Sequence, residues 1–106
     1  MPKYLIEASY TSEGAKGLLK DGGSKRRQAA EQAINSAGGK LEAFYFAFGE
    51  RDAFVIVDAP DHATIAAASL AINASGAVQT KTIVLLTPEE IDQATKKSVK
   101  YTAPGH

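Results

Sequence analysis

Leu41-Glu42-Ala43-Phe44-Tyr45-Phe46-Ala47-Phe48-Gly49-Glu50-Arg51-Asp52-Ala53-Phe54-Val55-Ile56-Val57-Asp58 is the stretch on which the fold turns. Its two halves are rich in aromatic and β-branched residues, which favour a pleated, half-buried surface. Between them, Gly49-Glu50-Arg51-Asp52 has the composition of a turn. The pattern predicts strands over residues 40–48 and 53–58 joined as a hairpin. A sheet with helices on one face and water on the other alternates apolar with polar residues. These strands do not: residues 43–48 and 53–57 are apolar at every position, and so are 83–86 further on. Register leaves two arrangements open. A two-residue Glu50-Arg51 loop puts Phe44, Phe46 and Phe48 on the face of Ala53, Val55 and Val57, whereas a loop one residue longer puts them beside Phe54 and Ile56.

Upstream of the hairpin, residues 3–11 read as a first strand. Thr11-Ser12-Glu13-Gly14 follows, with a hydroxyl to cap a helix and an acid for its positive end. Gly14, Gly17 and Gly22-Gly23-Ser24 are poor helix formers, so the expectation is a turn or two over residues 15–20, an interruption, and a better helix over residues 25–37. That second helix sets Ala29, Ala30, Ala33, Ile34 and Ala37 on one face, and Gly38-Gly39 ends it. Downstream, Asp61 caps a helix over residues 62–73, residues 77–86 form a fourth strand, and Thr87-Pro88-Glu89-Glu90 opens a last helix reaching about residue 97. Residues 1–97 are expected to form one domain and residues 98–106 a flexible C-terminal tail.

The order is strand, helix, strand, strand, helix, strand, with one extra helix. It predicts an α+β, ferredoxin-like βαββαβ fold: a four-stranded antiparallel sheet with helices on one face. The apolar second face then needs cover. Two sheets packed face to face supply it, which makes the expected assembly a homodimer of the dimeric α/β-barrel type. In the alternative, the C-terminal helix folds back over the open face.

From Tyr4-Leu5-Ile6 through Glu13-Gly14-Ala15-Lys16-Gly17-Leu18, Gly22-Gly23-Ser24-Lys25-Arg26, Gly38-Gly39-Lys40-Leu41-Glu42-Ala43-Phe44-Tyr45, Asn73-Ala74-Ser75-Gly76 and Leu85-Leu86-Thr87-Pro88-Glu89-Glu90, the chain resembles the GYD domain, a family of small bacterial proteins. Gly49-Glu50-Arg51-Asp52 stands where that family carries Gly-x-Tyr-Asp, so Arg51 replaces an aromatic ring at the turn. The resemblance implies a ferredoxin-like fold and self-association, and no established activity.

Composition narrows the function classes. The chain has 106 residues, 12 Lys plus Arg against 12 Asp plus Glu, and no Cys. A domain of this length buries roughly two-thirds of its unfolded surface, so it requires no disulfide or metal staple. Without Cys there is no thiol nucleophile and no Cys-ligated metal site. The two histidines, His62 and His106, have no spaced carboxylates around them, so no metal is expected, and no dinucleotide or phosphate-loop motif calls for a cofactor. Zero net charge argues against nucleic acid and anionic membranes as partners. The first residues have no signal-peptide pattern and no apolar run is long enough to span a bilayer, so the cytoplasm is expected.

Tyr10, Tyr45 and Phe48, with Glu7, Ser9 and Glu42 as polar neighbours, are candidates to line a cavity between sheet and helices for a small organic ligand, although aromatic side chains in strands ordinarily belong to the core. Arg51 and Asp52 are candidates for its rim, although the ordinary task of an Asp at a turn is to accept backbone N–H bonds. Lys25 and Arg26, following Gly22-Gly23-Ser24 at a helix start, form a candidate anion site. His62, at a helix start beside Asp61, is expected to face solvent. The leading expectation is a homodimeric or higher-order module binding a small organic ligand near the hairpin. Its rivals are a cofactor-independent monooxygenase, isomerase or tautomerase, the last with Pro2 as base once Met1 is removed, and a pure assembly protein without ligand.

Overall fold

A computed structural model describes all 106 residues. The elements run β1 (Lys3–Tyr10), α1 (Ser12–Asp21), α2 (Gly23–Ser36), β2 (Lys40–Phe46), β3 (Ala53–Asp58), α3 (His62–Ala74), β4 (Val78–Leu85) and α4 (Pro88–Thr95). The four strands form one antiparallel sheet in the order β2-β3-β1-β4. This is the ferredoxin-like arrangement expected from the element order.

The inner face carries the core. Tyr4 and Ile6 of β1 and Val55 and Val57 of β3 are buried there, against Ile34 of α2 and Ile65 and Ala68 of α3. Alternation works on the two central strands because each side chain on the inner face is covered by a helix. Tyr4 is 1% exposed, and its hydroxyl lies 2.6 Å from His62 Nδ1 with the two rings edge-on. His62 does face solvent at the start of α3, yet it satisfies the one polar atom of the largest core side chain.

Local caps explain the helix boundaries. Thr11 Oγ1 accepts the Gly14 N–H at the start of α1, and Asp61 Oδ1 accepts the Thr64 N–H at 2.8 Å at the start of α3. The second bond holds the Asp61 carboxyl below its ordinary value. At α4, Thr87 Oγ1 accepts the Glu90 N–H while the Glu90 carboxylate accepts the Thr87 N–H, a reciprocal capping box.

Three expectations are corrected, and one alternative is removed. The first helix is a continuous ten residues rather than a turn or two over 15–20, because Gly14 fits where α1 meets the backbone of Ala77: a Cβ there would lie 1.9 Å from the Ala77 carbonyl oxygen. Tertiary approach overrides propensity at this point. The interruption falls on Gly22, whose φ of 83° breaks the chain direction, and α2 starts at Gly23 rather than residue 25. β2 stops at Phe46 rather than at residue 48: the Ala47 N–H donates to the Asp52 carbonyl one step beyond the Phe46–Ala53 pair, and residues 48–50 then bend away as the turn. Finally, α4 does not fold over the sheet: each of its residues is exposed.

The register resolves the facing of the aromatics. Phe44 lies opposite Val55 and Phe46 opposite Ala53, so the phenylalanines share the inner face, as a two-residue loop implies, but slid along the partner strand from the pairs that loop would give. A bulge between Leu41 and Ala43 restores Leu41 to the inner face opposite Val57. No helix is long and apolar enough to cross a membrane.

Candidate functional site

The inner layer is not filled. Between α2 and α3, over the middle of the sheet, lies a cavity of about 220 Å³. Its helical walls are built from Ala29, Ala30 and Ala33 of α2 and Ile72 of α3, and its floor includes Val55 and Phe44. The cause is the size of those side chains: three alanines on the sheet-facing side of α2 do not reach what bulkier residues would fill. Four residues bring polar groups to the lining, Tyr10, Arg26, Ser75 and Thr80. Two of them are already committed. The Ser75 hydroxyl donates to the Ile72 carbonyl at 2.7 Å, and the Thr80 hydroxyl donates to Asn73 Oδ1 at 3.3 Å.

Tyr10 also borders a second hollow, a groove of about 600 Å³ between α1 and the hairpin. Phe46, Phe48 and Asp52 line its hairpin side and Leu18 its helical side. Phe46 packs edge-on against Phe44, with ring centroids 5.0 Å apart, and over Gly23, where any Cβ would stand 3.0 Å from the ring. Phe48 is fully exposed at the rim. The carboxylate of Asp52 accepts the Tyr10 N–H at 2.8 Å, and its own N–H donates to Ala8. Asp52 thus pins the hairpin to the end of β1, which is the ordinary task of an Asp at a turn carried out across strands.

The structure therefore gathers Tyr10, Phe48 and Asp52 around one groove and sends Tyr45 and Arg51 elsewhere. Tyr45 lies opposite Phe54 on the outer face and is 70% exposed. Arg51 reaches Glu7, with Nε 3.7 Å from Oε1, in a polar hollow that also includes Ser9 and Lys81. Glu42 sits at the bulge and accepts from Lys3 Nζ at 3.0 Å. Lys25 is exposed on α2, whereas Arg26 beside it lines the inner cavity. Pro2 is exposed at the end of β1 remote from Tyr10, its carbonyl accepting the Ala59 N–H.

The outer face of the sheet is a site of another kind. Leu5 lies opposite Ile56 on one side and Ile83 on the other, and Ile56 lies opposite Ala43. With Phe54 and Tyr45 this makes an apolar patch that no element of the chain covers. Charge borders it at both ends. Lys3 Nζ bonds Asp58 at 2.9 Å and Glu42 at 3.0 Å, and those two carboxylates raise the Lys3 pKa, Asp58 contributing more. At the other end stand Glu7, Arg51 and Lys81. An apolar patch rimmed by polar groups is the form of an interaction surface.

Alternation made the two-faced apolar character of the strands readable, and of the residues expected to line a cavity between sheet and helices only Tyr10 lines this one; the helical walls that open it were not singled out. Their signal was present in Ala29, Ala30 and Ala33, which also serve simply as good helix formers.

The family model of the GYD domain matches residues 4–95. The chain is similar to a glutamine synthetase and cystathionine beta-lyase binding protein of Thermus thermophilus, 29% identical over 83 residues, which are 78% of this chain and 86% of that one. Among solved structures it is similar to MtbAldR, with a TM-score of 0.58 at 18% identity, the match covering 97% of this chain and 57% of the other. At that identity the likeness concerns the fold alone, and the chain spans little more than half the length of MtbAldR.

Proposed function

The chain belongs to the GYD domain family, and from that footing we propose that it is a cytoplasmic binding module: a homo-oligomer assembled through the outer face of its sheet, with the inner cavity holding a small organic ligand. The observation that carries the reading is the uncovered row Ala43, Ile56, Leu5 and Ile83, continuous across all four strands. A sheet packed face to face against its twin removes such a row from water and leaves the charged ends at the rim.

Areas agree with this. A compact monomer of 11.2 kDa exposes about 5,700 Å², whereas this chain exposes 7485 Å². The excess is larger than the ~800 Å² that each partner contributes to a standard interface. It is shared between the outer face and the projecting C-terminal arm, which also stretches the radius of gyration to 16.9 Å against the ~13 Å of a compact chain of this length. The Thermus thermophilus relative is named for binding other proteins, so the proposed assembly also offers surfaces, the hairpin groove among them, to unlike partners.

Sedimentation velocity across the micromolar range tests the assembly. A concentration-dependent shift from a dimer or larger species towards monomer on dilution is expected. A chain that sediments as a monomer throughout removes the basis of the reading.

A further inference from the structure

We propose that the inner cavity takes a monocarboxylate with a compact apolar body, its carboxylate on the Arg26 guanidinium. The inference rests on the reading of that cavity as a ligand site and adds the ligand's chemistry.

Three observations lead there. The first is an uncommitted cation. Arg26 lines the cavity and is partly buried, yet its side chain makes no ion pair and no hydrogen bond within the chain. With Ser75 and Thr80 held by Ile72 and Asn73, the guanidinium and the Tyr10 hydroxyl are the polar groups left to a guest. A guanidinium offers a planar fork of donors that matches a carboxylate.

The second is a local electrostatic conflict. Lys25, Arg26 and Arg27 follow Gly23-Ser24 at the start of α2, and the first turn holds no acid. Cations there oppose the helix dipole, which favours negative charge at that end. An anion at Arg26 relieves both the dipole and the cluster, and positions where a sequence breaks a local rule tend to be functional ones.

The third is size and polarity. Apart from those groups the walls are apolar, and the volume is about 220 Å³. An apolar cavity of roughly 150 Å³ accommodates a benzene ring, so this one fits a ring with a short chain, or a branched aliphatic acid of similar bulk. A bare inorganic anion would leave the apolar walls unused.

The test uses the full-length protein, calorimetry, and three probes: 3-phenylpropionate, its neutral amide, and acetate. Expected are binding of the carboxylate, at least about tenfold weaker binding of the amide, and weaker binding still of acetate. Arg26→Gln should bring acid and amide to within about twofold of each other. Ala33→Leu, which fills the cavity, should weaken both by about tenfold or more. Methyl NMR shifts of Val55, Ile72 and Val78 in the unsubstituted protein locate the guest independently of any variant.

The outcomes separate. If neither phenyl probe binds, the ligand reading of the cavity falls together with this inference. If acid and amide bind equally and Arg26→Gln changes nothing, the cavity remains a ligand site and the carboxylate assignment is overturned. If acetate matches 3-phenylpropionate, or the shifts map away from these three residues, the site is only a basic helix start and the assignment fails.

Discussion

Leu5→Glu places a charge in the middle of the proposed interface. Leu5 lies on a central strand, opposite Ile56 of β3 and Ile83 of β4, on the face away from the Tyr4 and Val57 core. In a two-fold interface every substitution occurs twice. Complete burial of a leucine contributes about 1.5–3 kcal/mol, and because neighbouring side chains already cover most of Leu5, no more than the lower end applies. A carboxylate held there without a partner costs several kcal/mol more. Even at about 3 kcal/mol per protomer the dimer loses roughly 6 kcal/mol, about four orders of magnitude in dissociation constant. Sedimentation velocity should then show a folded monomer at micromolar concentration, with circular dichroism unchanged. Leu70→Glu is the matched control: Leu70 is 71% exposed on α3, on the helical side of the sheet, and the same charge there should leave association intact. A Leu5→Glu protein that still dimerises, or a Leu70→Glu protein that dissociates equally, places the interface elsewhere and refutes the argument.

Gly14→Ala should cost at least about 2 kcal/mol in urea denaturation, since its Cβ would lie 1.9 Å from the Ala77 carbonyl oxygen and α1 would have to move; a neutral result would mean that α1 is not seated against the Ala77 backbone as described. Asp52→Ala should cost about 1–2 kcal/mol by stranding the part-buried Tyr10 N–H, and amide exchange at Tyr10 should accelerate with it. Asp61, whose carboxyl is held below its ordinary 3.8 by the Thr64 N–H, contributes stability that is fully present above that value and is lost as pH falls through the depressed one. Wild type should therefore exceed Asp61→Asn in stability near neutrality and converge with it in acid, and a gap that persists below the depressed value would contradict the assignment.

The hairpin and its neighbours were legible because a strand writes its environment in a period of two, and a run such as 53–57 that is apolar throughout can only mean that both faces seek cover. Where each ring points was less legible. One bulge between Leu41 and Ala43, in the pairing with β3, and a turn anchored by Asp52 to Ala8 and Tyr10 of β1, far earlier in the chain, decide the register of β2. Hence Tyr45, Phe48 and Arg51, within seven residues of one another and grouped as one candidate site, part company: Tyr45 and Arg51 go to the outer face and Phe48 to the groove.

That parting has a physical consequence for function. Successive residues of a strand serve opposite faces, so Phe44 and Val55 meet whatever occupies the cavity while Tyr45 and Phe54 meet whatever covers the sheet. The two surfaces are separated by the thickness of one sheet and are built from the same two strands. Rigidity of those strands then matters to both, and much of it comes from buried Ala53, Val55 and Val57 and from the Asp52 anchor at the head of β3. Loosening that anchor should therefore weaken ligand binding and self-association together, whereas Arg26→Gln should affect ligand binding alone, because Arg26 belongs to α2 and has no contact with the outer face.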